Sequence, residues 1–282
     1  MQPDAESGRD TAPAHVGGLL RACSLAAPEA RALLAHAMGV AREHLVTHAE
    51  SAVDATVQAR FADLVRHRSQ GTPMAYLLGF QEFYGHRLRV TPAVLIPRPD
   101  TELLVETALQ VLAHLSGARV LELGTGSGCI AIALALARPD LVIVATDVSV
   151  AALEIARGNA RRLGARLHLV GADWFAPLRG TFDLLISNPP YIAPQDRHLT
   201  ALTFEPRGAL TDGCDGLAAL RIVIAGAPAL LADGGTLLLE HGYDQGIAVR
   251  ALAAAGGFDA AKTLVDLGGR DRACLARITR AA

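Results

Sequence analysis

From Arg119 to the C-terminus, short apolar runs alternate with longer helical patterns, and this alternation constrains the fold more than any other feature. Val120-Leu121-Glu122-Leu123 reads as a strand, Ile130 to Ala137 as a helix, Leu141 to Ala145 as a strand and Val150 to Leu163 as a helix. Leu167 to Val170 and Phe182 to Ile186 follow as strands, and a helix around Leu217 to Leu231 leads to the strand Thr236 to Glu240. Ala248 to Ala255 is helical, and two short strands, near Thr263–Leu267 and Ala273–Ile278, finish the pattern. Strands joined through helices pair in parallel, and a parallel sheet must be covered on both faces. The expectation is an α/β domain built on a mostly parallel, seven-stranded sheet. Its last two strands have no helix between them and should join antiparallel at an edge.

The preceding part reads differently. Residues 1–14 are polar and rich in small side chains, the composition of a mobile tail. From His15 the pattern is helical. Pro28 and Glu29 suit a first turn, Leu33, Leu34, Ala37 and Met38 follow, and Gly39 is a stop. Val57, Phe61, Leu64 and Val65 share one helical face before Gly71 and Pro73. Three or four helices are expected here. From Phe80 to Val90 the period shortens, with Phe83, Leu88 and Val90 flanking Gly85-His86 as in a hairpin. Leu95-Ile96-Pro97-Arg98-Pro99-Asp100 then punctuates the chain, and Asp100 or Thr101 can cap a helix carrying Leu103, Leu104, Val111 and Leu112. The expected division is a tail at 1–14, a helical domain at 15–78, a hairpin linker at 79–99 and the α/β domain at 100–282.

Composition narrows the partners. Half of the 282 residues are hydrophobic and 19% are charged, which suits a packed globular chain. The formal net charge is −2 with no basic stripe, unlike a protein whose main work is gripping a phosphate backbone. No direct nucleic-acid contact is expected. Cys23, Cys129, Cys214 and Cys274 are scattered, without zinc-type spacing or a disulfide framework, so no metal is expected and the cytoplasm fits best. No apolar run is long enough for a membrane span, and no membrane association is expected.

Gly124-Thr125-Gly126-Ser127-Gly128 lies directly between the first strand of the alternating region and its helix. Glycines there permit a tight turn and a close backbone approach to a ligand at the helix start. Asp147 ends the next strand, 21 positions after Gly126, where an acid can chelate a ribose diol. Together they indicate a nucleoside cofactor. The spacing is G-x-G-x-G, short of the pattern that favours a pyrophosphate, and Glu122 precedes it. A phosphate-free, cationic S-adenosylmethionine suits it better than a nicotinamide dinucleotide. Asp173 and Trp174 follow the third of these strands, where an acid could accept from the adenine amino group and a ring could cover the base. Cys129 opens the helix after the loop, where a thiol is either acidified or simply a small packed residue.

The fourth strand ends in Ile186-Ser187-Asn188-Pro189-Pro190-Tyr191. Two prolines fix their own φ and donate no backbone hydrogen bond, and Asn188 before them is pushed toward extended geometry. The result is a stiff corner presenting an amide, two carbonyls and a ring. Alone it reads equally well as a strand terminator or as a seat for a planar group with N–H donors. Residues 192–216, with Gly208, Gly213 and Gly216, form a long loop expected to close over a substrate.

With the loop, Asp147, Asn188-Pro189-Pro190-Tyr191 and the string Pro97-Arg98-Pro99-Asp100-Thr101-Glu102, the chain resembles the protein-(glutamine-N5) methyltransferases of HemK/PrmC type. Phe204-Glu205-Pro206 and Leu239-Glu240-His241-Gly242 add to the resemblance, which runs from about His15 to the end. Adenine-N6 nucleic-acid methyltransferases and a sibling enzyme acting on a ribosomal protein are similar at Asn-Pro-Pro-Tyr. The sibling resembles Arg-Ser-Pro where this chain has Arg98-Pro99-Asp100. The resemblance implies a class I, Rossmann-like methyltransferase fold. It also implies methyl transfer from S-adenosylmethionine, leaving S-adenosylhomocysteine, to the glutamine amide in the Gly-Gly-Gln tripeptide of peptide-chain release factors. Gly124, Thr125, Gly126, Ser127, Gly128, Asp147, Asp173, Trp174 and Asn188 would meet the cofactor. Asn188, Pro189, Pro190 and Tyr191 would hold the glutamine, with Asn188, Pro189 and Tyr191 the catalytic set. Glu205, Glu240 and His241 are expected to anchor loops and strand ends. The helical domain is expected to recognise the release factor, because a tripeptide offers little surface for specificity.

Overall fold

The computed structural model describes residues 14–176 and 178–279. The tail expected at 1–14 lies outside the described residues except for Ala14. The chain forms two compact units divided between Leu78 and Gly79.

The first unit holds α1 (Val16–Ala22), α2 (Ala27–Met38), α3 (Arg42–Thr47), α4 (Ala55–Ser69) and α5 (Met74–Leu78). Pro28 and Glu29 open α2, and Gly39 closes it in the left-handed conformation at φ 70°. Asp54 caps α4 by accepting from the Thr56 backbone N–H at 2.8 Å. Leu33, Leu34, Leu45, Val53 and Phe61 fill its core, with Val57, Leu64 and Val65 packed on them. Among the described residues five helical segments therefore replace the expected three or four; the extra ones are short. The α2–α4 pair is also held by Arg68 on Glu29 at 2.8 Å.

The second unit opens with β1 (Phe80–Phe83) and β2 (His86–Arg89), an antiparallel hairpin. Its turn is Tyr84-Gly85, both at positive φ, one residue earlier than Gly85-His86, and His86 already lies in β2. Tyr84 is tolerated there because its backbone N–H is held by the Glu102 carboxylate at 2.8 Å. Phe83 and Leu88 belong to the core of this unit, so the hairpin is built into it.

Then come α6 (Glu102–Val111), β3 (Arg119–Leu123), α7 (Cys129–Ala137), β4 (Val142–Asp147), α8 (Val150–Leu163), β5 (His168–Gly171) and β6 (Phe182–Ser187). The sequence ends with α9 (Ala218–Gly226), β7 (Leu231–Glu240), α10 (Gly246–Ala255), β8 (Asp259–Val265) and β9 (Asp271–Arg277). The sheet order is β5-β4-β3-β6-β7-β9-β8, parallel from β5 to β7, with β9 antiparallel to both of its neighbours. The chain's last strand thus lies inside β8 rather than at the edge.

Strand alternation sorts the core. Val120, Leu184, Ile186 and Leu238 face α6 and α7, while Leu121, Leu185, Leu237 and Leu239 face α9 and α10. The topology has one consequence for chemistry. From β3 the chain winds out to β4 and β5, then returns to β6 on the other side of β3, so the order reverses between β3 and β6. Such switch points leave a crevice at the carboxyl ends of the strands. Leu123 pairs with Ser187, Leu123 with Thr146, and Ser187 with Leu239, which brings the residues after β3, β4, β6 and β7 together.

Candidate active site

A cavity of about 300 Å³ opens at this switch point. Its wall includes Gly124, Thr125, Gly126, Ser127, Asp147, Asp173, Trp174, Asn188, Pro189 and Pro190. Leu95, Pro97, Arg98, Thr101, Pro206, Gly208 and Ala209 complete the rim.

The glycine loop is shaped by backbone freedom. Gly124, Gly126 and Gly128 sit at φ 71°, 55° and 84°, where a side chain is strained. A Cβ on Gly124 or Gly126 would meet no protein atom within 4 Å, the open side of a cradle, whereas one on Gly128 would come within 2.9 Å of Ile132 Cδ1. Gly128 is therefore a packing glycine beneath the loop and does not line the cavity as expected. Asp147 accepts from the Gly126 N–H at 2.9 Å through Oδ2 and from the Ser149 N–H at 2.8 Å through Oδ1. One carboxylate so fixes the loop to the end of β4. The Ser127 hydroxyl is buried on the cavity wall without a hydrogen-bond partner. Trp174 holds φ 50°, a costly conformation for a bulky residue, where its ring forms part of the wall.

Glu122 is buried beside the loop and accepts from the Thr125 hydroxyl at 2.6 Å. Burial pushes its carboxyl up to about 8, against the opposing hydrogen bond. Cys129 is no activated thiol: burial raises its pKa, and the Glu122 charge adds to this. These residues fit S-adenosylmethionine: an open cradle, an orphaned hydroxyl, acids at the wall and an aromatic ring.

Asn188, also lining the cavity, donates from Nδ2 to Thr101 Oγ1 at 3.2 Å. Thr101 precedes α6 but makes no capping bond with its side chain, because its hydroxyl serves Asn188 instead. Tyr191 departs from its expected seat. It is not on the cavity wall; its hydroxyl donates to Glu240 Oε1 at 3.0 Å and its ring packs on the α9 side of the core. Burial, then the Glu240 charge, raises the phenol pKa. Burial lifts the Glu240 carboxyl to about 7, while the nearby Thr101 and Tyr191 hydroxyls and Arg272 oppose it. Arg272 pairs with Asp100 at 3.2 Å and with Asp266 at 3.3 Å. Burial lowers the pKa of His241, at the same strand end, and its ring bonds the Gly242 carbonyl at 2.8 Å.

Glu205 anchors the loop after β6. Its Oε2 accepts from the Ile96 N–H at 3.0 Å and its Oε1 from Arg98, binding residues 192–216 to the Pro97 string. That loop is not structureless: it contains 3-10 turns at Arg197–Ala201 and Arg207–Ala209, the second touching the cavity. Thr101, Leu95, Pro97 and Arg98 are among the wall residues that motif reading missed. Their sequence signal is the proline string, which by itself reads as punctuation.

A parallel sheet reversed at β3/β6, with a glycine cradle and an Asn-Pro-Pro corner at its carboxyl edge, defines a class I methyltransferase. A methyltransferase from Pyrococcus furiosus shares the fold, with a TM-score of 0.53 at 17% identity over 78% of this chain and 100% of that one. Residues 99–207 match the methyltransferase small domain, and residues 14–79 match the PrmC N-terminal domain. The release factor glutamine methyltransferase of Burkholderia pseudomallei is 50% identical over 94% of this chain and 97% of its own. That of Bordetella pertussis is also 50% identical, over 86% of this chain and 92% of its own. The chain belongs to the release factor glutamine methyltransferase family.

Proposed function

We propose that the cavity transfers a methyl group from S-adenosylmethionine to the side-chain amide nitrogen of the glutamine in the Gly-Gly-Gln tripeptide of peptide-chain release factors. The observation that carries this reading is the meeting of the glycine cradle and Asp147 with Asn188 and Pro189 around one cavity. When bound, S-adenosylmethionine supplies an electrophilic methyl group. Gly124 to Ser127, Asp147, Asp173 and Trp174 hold it, with Gly128 supporting the cradle from below. Asn188, Pro189 and Pro190 receive the glutamine.

The glutamine amide is a poor nucleophile, because its lone pair is delocalised into the carbonyl. Once alkylated it is a strong acid that loses its proton to water, so no side-chain base is required. The work falls to geometry and dipoles. With its Nδ2 engaged by Thr101, Asn188 offers the side-chain oxygen as an acceptor, and the Pro189 carbonyl is a second. One bond from each N–H of the glutamine to these oxygens fixes the nitrogen and stabilises the positive charge growing on it. Positioning of this kind can supply roughly 7–11 kcal/mol. Tyr191 supports the corner through Glu240 rather than stacking on the guest.

The release factor is the macromolecular partner, with the first unit as its recognition domain and the cytoplasm as the place of reaction. Among the described residues no helix is long and apolar enough to cross a membrane. The test incubates the protein with labelled S-adenosylmethionine and, separately, release factor or DNA. Label is expected on the release factor glutamine; label on DNA alone would overturn the reading.

A further inference from the structure

We propose that Thr101 is a positioning residue that, backed by Glu240, sets which end of the Asn188 amide faces the guest. The inference rests on the reading of Asn188 given above and extends it to residues outside the Asn-Pro-Pro-Tyr corner. An asparagine amide has a donor end and an acceptor end of nearly equal shape, so packing alone cannot choose between them. A guest presenting an NH₂ group needs the oxygen; the flipped amide would set two donors against each other.

Three features fix the choice. Thr101 is 2% exposed, so no water stream competes for its hydroxyl. Its Oγ1 receives the Asn188 Nδ2 donor at 3.2 Å. The same hydroxyl lies against Glu240, where it favours the ionised carboxylate. Glu240 Oε2 is buried without a hydrogen-bond partner, which gives the neighbouring Thr101 hydroxyl hydrogen an acceptor to turn toward. The lone pairs of Oγ1 then remain for Asn188. The Tyr191 hydroxyl, donating to Oε1 at 3.0 Å, holds the other side of the carboxylate. Polarity thus runs from Glu240 through Thr101 to Asn188, and each member is buried or half-buried.

The chemistry asks for this order. Valine at position 101 keeps the shape but offers no acceptor, so the Asn188 amide loses its reason to turn one way. Serine keeps the oxygen.

The test is a double-mutant cycle of Thr101→Val and Asn188→Ala, with Thr101→Ser as the conservative control, read as kcat on a release factor and as affinity for S-adenosylmethionine by calorimetry. Thr101→Val is expected to lower kcat by roughly 10- to 100-fold, the scale of one buried hydrogen bond plus a mispaired donor. Donor affinity should stay unchanged, Thr101→Ser should restore most of kcat, and Thr101→Val should cost nothing further in the Asn188→Ala background. Full turnover by Thr101→Val would overturn the inference. So would a loss of the same size in the Asn188→Ala background, or a parallel loss of donor binding that serine does not restore, since either marks a role in stability. Normal turnover by Asn188→Ala itself would instead sink the reading beneath it.

Discussion

The two walls of the cavity are held by different means. The proposed cofactor wall, Gly124 to Ser149, is fixed by backbone conformation and one carboxylate: glycines at positive φ, the Gly126 and Ser149 N–H groups on Asp147, and helix starts within a few residues. The proposed substrate wall is fixed by side chains that meet from afar, with Thr101 reaching Asn188 across 87 positions and Glu240 reaching Tyr191 across 49. A nucleoside-sized donor is met by a cradle that short-range sequence can encode. A single amide needs its acceptor aimed, and aiming a side chain takes a buried network.

Substitutions on the two walls should therefore separate affinity from turnover. The largest effect belongs to Asn188→Ala, which removes one transition-state dipole and should lower kcat by about 10²–10³ in a steady-state assay. Asp147→Asn, on the other wall, should weaken S-adenosylmethionine binding by roughly 10- to 100-fold, the scale of a hydrogen bond to a charged group. Calorimetry would detect it, with kcat at saturating donor little changed. Tyr191→Phe leaves Glu240 Oε1 without its donor. It should cost about 1–3 kcal/mol of stability by denaturant titration and less than about tenfold in kcat. If Tyr191→Phe matched Asn188→Ala in turnover, the tyrosine would belong to the substrate wall after all.

The smallest effect concerns pH. Glu122 keeps its proton to about 8 in the folded protein, whereas an ordinary glutamate releases it near 4.5. Between those values the folded state binds the extra proton, so stability is lost as pH rises through that window. Glu122→Gln should flatten the decline, seen as a melting temperature a few degrees above wild type at pH 8 and near it at pH 5.

How much of this the residues revealed follows the same division. The β3–α8 region was legible because each strand and helix announces itself within a dozen residues, and the cradle and Asp147 come with it. Errors arose where distant contacts decide. The hairpin turn takes Tyr84 at φ 48°, which only the Glu102 carboxylate explains. Reading α9 on to Leu231 overran its end: the helix stops at Gly226, Ala227–Ala229 forms a 3-10 turn, and β7 already starts at Leu231. Thr101 looked like a helix cap because threonine at a helix start usually is one, yet β6 brings Asn188 to its hydroxyl. Tyr191 looked like part of the glutamine seat because nothing local points it toward Glu240. Buried polar partners far apart in sequence leave no periodic trace.

Trp174 is the only tryptophan and stands on the cavity wall, so its fluorescence is expected to report donor binding directly. The most direct measurement titrates Asn188→Ala with S-adenosylmethionine by that signal and follows single-turnover methylation of a release factor in the same samples. The expected result is an unchanged dissociation constant with a methylation rate lower by about 10²–10³. A wild-type rate, or a binding loss as large as the rate loss, would contradict the division of the cavity into a donor wall and an aimed acceptor.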